Sequence, residues 1–341
     1  MRKRRLHLAP LGAVLARLAI PLLLTTLPAA ARAQAVGAQP GAGERVSVLF
    51  TALGKDGKFV TGLKAEDVRV TADGEPVRSF DLTRQKGVRL FLTVAIDTSA
   101  SQENLLPSTK VLADLLVRSV MLPGTDEAAV VTFSTDTTLE QGMTKDVARV
   151  RRAIARVAFV PPTGYVGGGV IVGAPPLRSA GATGMWDAVW VVSREVMPRW
   201  LGPGRRALLL ITDGVDTSST LKSNKAINAA LASEIVVYAV GVADEKNFDG
   251  VDKDALRKLA GRTGGRAFFP KKIGELTGIF RQIQEELDSQ YVVTFAPPSG
   301  AREGSFHKIK IEIANPALRG QDVQLTYPQG FFVGEPPTVK K

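Results

Sequence analysis

Nearly unbroken apolar runs lie in the middle of the chain, at residues 90–96, 128–133, 207–211 and 235–242. Runs of this length are the pattern of strands covered on both faces in a parallel sheet. Segments with helical spacing alternate with them, over 105–120, 146–157, 185–196, 226–233, 254–262 and 275–288. In the last, Leu276, Ile279, Phe280, Ile283 and Leu287 fall on one stripe. Strands alternating with helices of this size predict right-handed βαβ units and an α/β fold with a doubly wound, mostly parallel sheet over 85–290.

The flanks carry a different period. Residues 45–84 hold short alternating stretches punctuated by Asp56-Gly57 and Asp73-Gly74, which read as hairpin turns. Residues 291–333 are again strand-like, with Pro- and Gly-rich connections. Neither flank has enough apolar residues to fold well by itself. The expectation is that they pair into one small β-sheet domain with the α/β segment inserted between them. Residues 334–341 read as a tail.

Residues 1–33 read as an export signal. A basic start at Arg2–Arg5 precedes an apolar run, and Ala31-Arg32-Ala33 matches a signal-peptidase site. Residues 34–44 read as a flexible leader. The expectation is a periplasmic or extracellular protein with no stable membrane span after cleavage, since no other stretch approaches 18 apolar residues.

Composition then narrows the chemistry. The formal charge is +11, yet six basic residues and no acid lie in the signal segment. What remains is ordinary, and nucleic-acid binding loses its compositional support. Cysteine is absent, which removes thiolate chemistry, disulfides and Cys-ligated zinc. With only His7 and His307, neither a histidine-rich metal site nor a Ser-His-Asp triad is expected, and His307 reads as structural.

Oxygen-bearing side chains concentrate at strand ends. The 90–96 strand runs into Asp97-Thr98-Ser99-Ala100-Ser101, and the 207–211 strand into Thr212-Asp213-Gly214. Gly181-Ala182-Thr183-Gly184 precedes a helix and adds a hydroxyl. In an open α/β sheet the carboxyl ends of the strands face the ligand crevice. Asp97, Ser99, Ser101, Thr183 and Asp213 offer oxygen without sulfur or imidazole, a set for a hard cation. Mg²⁺ suits few protein ligands best, with Mn²⁺ or Ca²⁺ as alternatives. Thr163 is a rival to Thr183, and the long connection over 160–182 is a candidate for shaping partner choice. Ser99 or Ser101 could instead cap the helix that follows. Asp216 reads as a turn or cap residue, the Arg149–Arg156 cluster as a solvated helix face.

At these residues the chain resembles the von Willebrand factor A family. Asp97-x-Ser99-x-Ser101, Thr183 and Asp213 match, in order, the five positions of that family's metal-ion-dependent adhesion site, and residues 211–216 match its hydrophobic-T-D-G-x-D strand end. The flanks are similar to the exported VWFA-related proteins of the Acidobacterial type. The resemblance covers residues 87–290. It implies direct Mg²⁺ ligation by Ser99 and Ser101, Thr183 directly or through water, and Asp97 and Asp213 mainly through water. It also implies a partner protein's Glu or Asp completing the ion's sphere. The expected function is therefore an exported, non-enzymatic interaction or adhesion protein of unassigned oligomeric state. The alternatives are a Mg²⁺-dependent phosphoryl or phosphoester hydrolase using Asp97, or a metal-independent scaffold. No general base is visible near the strand ends, which argues against catalysis there.

Overall fold

The computed structural model describes residues 45–159, 161, 165–167, 170–171, 182–198, 201–244 and 250–334. The expected signal segment and leader, Thr163, Gly181 and residues 335–341 lie outside them. The first flank forms β1 (Val46–Leu53), β2 (Val68–Ala72), β3 (Glu75–Pro76) and β4 (Phe80–Arg84). The middle runs β5 (Leu90–Asp97), α1 (Leu106–Val120), β6 (Glu127–Phe133), β7 (Thr137–Thr144), α2 (Val147–Arg156), β8 (Tyr165–Gly167), β9 (Val170–Ile171) and α3 (Met185–Val191). It continues through β10 (Arg205–Thr212), α4 (Ser223–Ala232), β11 (Ile235–Gly241), α5 (Lys253–Arg262), β12 (Ala267–Phe268) and α6 (Leu276–Asp288). The second flank supplies β13 (Tyr291–Phe295), β14 (Phe306–Ile313), α7 (Pro316–Arg319), β15 (Gln324–Thr326) and β16 (Gly330–Phe332).

The central sheet has the order β12-β11-β10-β5-β6-β7, parallel except for β7. Every residue of β5, β10 and β11 is buried, because helices cover both faces. On one face Leu92, Val94 and Ile96 pack with Leu116, Ile154 and Phe280 of α1, α2 and α6. On the other, Phe91 and Ala95 pack with Val189, Ile227 and Leu256 of α3, α4 and α5. From β5 the chain steps outward to β6 on one side, and from β10 to β11 and β12 on the other. The order therefore reverses between β5 and β10, which opens a crevice beyond Asp97 and Thr212.

The flanking strands divide between two antiparallel sheets, β15-β1-β13-β4 and β16-β14-β2-β3, each drawing on both flanks. One small sheet would leave the apolar face of every strand wet. Two sheets bury Val48, Phe50, Val70, Tyr291, Val293, Ile309 and Ile311 in one core. Asp73 (φ 51°) and Gly74 (φ 90°) both turn left-handed, the type I′ geometry that joins β2 to β3. Where the chain leaves the sandwich and where it returns, Gln85 N–H donates to Gln290 C=O at 2.8 Å.

Candidate metal centre

Asp97 ends β5 and is 1% exposed. Its Oδ1 accepts from the Ser99 N–H at 2.8 Å and its Oδ2 from the Thr212 hydroxyl at 2.5 Å. The adjacent strand end thus holds the first carboxylate in place. After Asp97 the backbone enters a 3₁₀ turn at Ala100–Gln102, for which Ser99 makes no side-chain cap bond. The Ser99 and Ser101 hydroxyls instead lie 3.1 Å apart, and Ser101 donates to Asp213 Oδ2. The capping alternative for these serines is not what the geometry shows.

Asp213 follows β10 and is 3% exposed. Its Oδ1 accepts from Val215 N–H at 2.9 Å, and its carbonyl accepts from Asp252 N–H at 2.8 Å. Gly214, at φ 80°, makes this turn possible; a Cβ there would stand 2.8 Å from Leu256 Cγ and 3.1 Å from Asp252 O. Gly214→Ala is expected to cost about 1–2 kcal/mol from the left-handed backbone alone, read as a lower urea midpoint in chelator. The sequence reading passes over Gln102. Its side-chain amide donates to Asp213 Oδ2 at 3.1 Å and to Val242 C=O at 3.3 Å, tying the serine turn to the end of β11. No one-dimensional pattern marks this residue.

Thr183 is buried in the loop before α3. Its N–H donates to Thr217 Oγ1 at 2.9 Å, and its carbonyl accepts from Thr217 and Ser218. Gly184 N–H donates to Ser134 C=O at the end of β6. Asp216 accepts from Trp186 N–H and the Ser219 hydroxyl, so it caps α3 as expected. Asp97, Ser99, Ser101 and Asp213 are thus brought together. Thr183 stands on a neighbouring loop, with no hydrogen bond from its hydroxyl to the other four among the described residues.

Burial, and then the Asp213 charge, push the Asp97 carboxyl up to about 7. Burial raises Asp213 too, against the donors that face it. Among the described residues no lysine or arginine offsets either group. Among the described residues no three Asp, Glu, His or Cys side chains gather as a metal-binding group. An ion here would draw on hydroxyls as well as carboxylates, as the donor set suits.

A second cluster gives His307 partners that the sequence does not show. Its Nδ1 lies 2.7 Å from Asp73 Oδ2 and its Nε2 2.7 Å from Ser305 Oγ. Pairing of β14 with β2 brings Asp73 alongside, a proximity that 234 residues of separation hide from the sequence. A Ser-His-Asp arrangement, excluded on histidine count, is present in the β-sandwich.

The family model for the von Willebrand factor type A domain matches residues 178–282, which takes in Thr183 and Asp213. No curated protein matches the sequence significantly. Among solved structures, proximal thread matrix protein 1 from the mussel byssus, with a zinc occupied MIDAS motif, is 20% identical with a TM-score of 0.47. That alignment covers 62% of this chain and 49% of the mussel protein. A von Willebrand factor type A protein from Catenulispora acidiphila is 12% identical with a TM-score of 0.46, over 87% of this chain and 75% of that one. The conserved hypothetical protein BatB from Bacteroides thetaiotaomicron is 18% identical with a TM-score of 0.42, over 60% of this chain and 100% of its own. The chain thus spans about half the length of the mussel protein it matches.

Proposed function

We propose, for a chain that carries a von Willebrand factor type A domain, that its crevice holds Mg²⁺ and captures an acidic side chain of a protein partner. The observation that carries this reading is the pair of buried carboxylates, Asp97 and Asp213, set at the switch point of the sheet with hydroxyls around them and, among the described residues, no basic side chain to offset them. Two buried like charges are costly to keep and favour a cation between them. Ser99, Ser101 and Thr183 would supply hydroxyl oxygen, and Asp97 and Asp213 charge. The bound ion would supply an open coordination position for a partner's Glu or Asp. Thr212, Gln102 and the Val215 N–H orient the carboxylates without ligating anything themselves.

The reading is of an exported, non-enzymatic interaction or adhesion module at this site. Export rests on the leader-like residues 1–33. Among the described residues no helix is long and apolar enough to cross a membrane. The test is calorimetric titration of Mg²⁺ and Mn²⁺ into chelator-treated protein. One-site binding is expected in the parent and none in Asp213→Ala or in the Ser99→Ala/Ser101→Ala double variant. Binding that survives in both would sink the assignment.

A further inference from the structure

We propose that Ser305 is a nucleophile toward small acyl esters, with His307 as its general base and Asp73 as the residue that positions the base. The three groups form one chain of two 2.7 Å contacts. A nucleophile–base–carboxylate set is recognised by such geometry, whatever the fold or the chain order. The carboxylate is anchored: Asp73 Oδ1 accepts from Lys308 N–H at 2.8 Å, which leaves Oδ2 for the imidazole. The hydrogen bond from His307 holds the Asp73 carboxyl below its usual range. The ring is held as well, stacked on Phe331 at 5.6 Å and 21°. With Nδ1–H donated to Asp73, the neutral ring turns its Nε2 lone pair on Ser305 Oγ. Arg302 C=O, 2.5 Å from the same Oγ, competes for the one hydroxyl proton and holds it when the ring is cationic.

Ser305 is half-buried and the His307 side chain 13% exposed, so neither is sealed in. A donor for the developing oxyanion is also to hand. Val333 N–H bonds Ser305 C=O and Ile309 N–H bonds Gln329 C=O, so Phe306 falls between bonded pairs of the β14–β16 ladder. Its N–H faces the other side, where β2 has already turned away at Asp73-Gly74. The amide next to the nucleophile is the donor serine hydrolases use for this purpose.

In the reaction Ser305 Oγ adds to the ester carbonyl carbon and its proton passes to His307 Nε2. The C–O bond to the alcohol breaks, and the leaving oxygen takes that proton. Water then adds to the acyl-serine and gives a proton to Nε2. The carboxylic acid leaves, and the proton returns to Oγ. No ion enters these steps, so the assay is run in chelator and its outcome is independent of the metal centre.

The test treats the full chain with a fluorophosphonate, in which Oγ displaces fluoride, and maps the adduct by peptide mass spectrometry. p-Nitrophenyl acetate hydrolysis is measured in parallel. A phosphonyl group on Ser305 is expected in the parent and absent from His307→Asn. Ser305→Ala is expected to hydrolyse the ester about a hundredfold more slowly or worse. Asp73→Asn keeps a residue that tolerates the left-handed turn, and it should lower kcat while leaving KM unchanged. An unlabelled Ser305 in the parent overturns the proposal, and so does hydrolysis by Ser305→Ala at the parental rate. The labelling is read on the parent, so a variant that fails to fold cannot imitate an unlabelled Ser305.

Discussion

Asp97→Asn is expected to shift the melting temperature in opposite directions with and without Mg²⁺. In chelator at pH 8 the parent keeps two buried carboxylates near each other with no cation, and desolvation and mutual repulsion both act against the folded state. Asn removes one of the charges at nearly constant shape. The gain is about 2–4 kcal/mol, a shift of several degrees. With Mg²⁺ in thousandfold excess over its Kd the parent gains about 4.1 kcal/mol from binding, and the variant, short of half the site's charge, does not. The order of the two melting curves then reverses. Differential scanning calorimetry of both proteins, with chelator and with Mg²⁺, checks this. A variant less stable than the parent under both conditions would mean that Asp97 is a structural acceptor for Thr212 and Ser99 and nothing more.

Glu286→Gln should make stability less dependent on pH. Glu286, on α6, has no solvent exposure, and the Tyr238 hydroxyl lies against its carboxylate. Burial lifts the carboxyl to about 7, and Arg266, 3.4 Å away and partly exposed, offsets only part of that. The folded form therefore holds its proton to about pH 7, while the unfolded form loses it near 4.5. Between those values the native state binds more protons. The associated stability is complete below pH 4.5 and is lost as pH rises through 7. Gln cannot ionise. Urea unfolding should show the variant about 3 kcal/mol more stable than the parent at pH 8.5, with little difference at pH 4.5. Parallel curves for the two proteins would contradict the assignment.

The central sheet was legible because β5, β6, β10 and β11 have both faces covered and so spell themselves as unbroken apolar runs. β7 did not register: it is an edge strand whose TTLEQGMT is half exposed throughout, which leaves no period for a reader to find. β16 is three residues long and is held by its ladder to β14 rather than by its own composition. At the crevice, Asp97, Ser99, Ser101 and Asp213 stood out because backbone order alone carries them to neighbouring strand ends. Gln102 did not, since its role depends on reaching Val242 across the crevice. The partners of His307 were hidden for the same reason on a larger scale. Asp73-Gly74 was readable as a turn, but only the register of β14 against β2 reveals that the turn also delivers a carboxylate to an imidazole.

The contact between Gln85 and Gln290 has a mechanical corollary. The chain passes between the α/β segment and the sandwich at two adjacent points, the end of β4 and the start of β13, and Gln329 N–H adds a further tie to Arg262 C=O at 3.1 Å. β13 is paired with β1 so that Tyr291 lies opposite Phe50 and Phe295 opposite Val46. A pull on the α/β segment, resisted at Arg45, therefore drags β13 and β1 past each other along their length. The rungs of that ladder would share such a load at once rather than peel one by one.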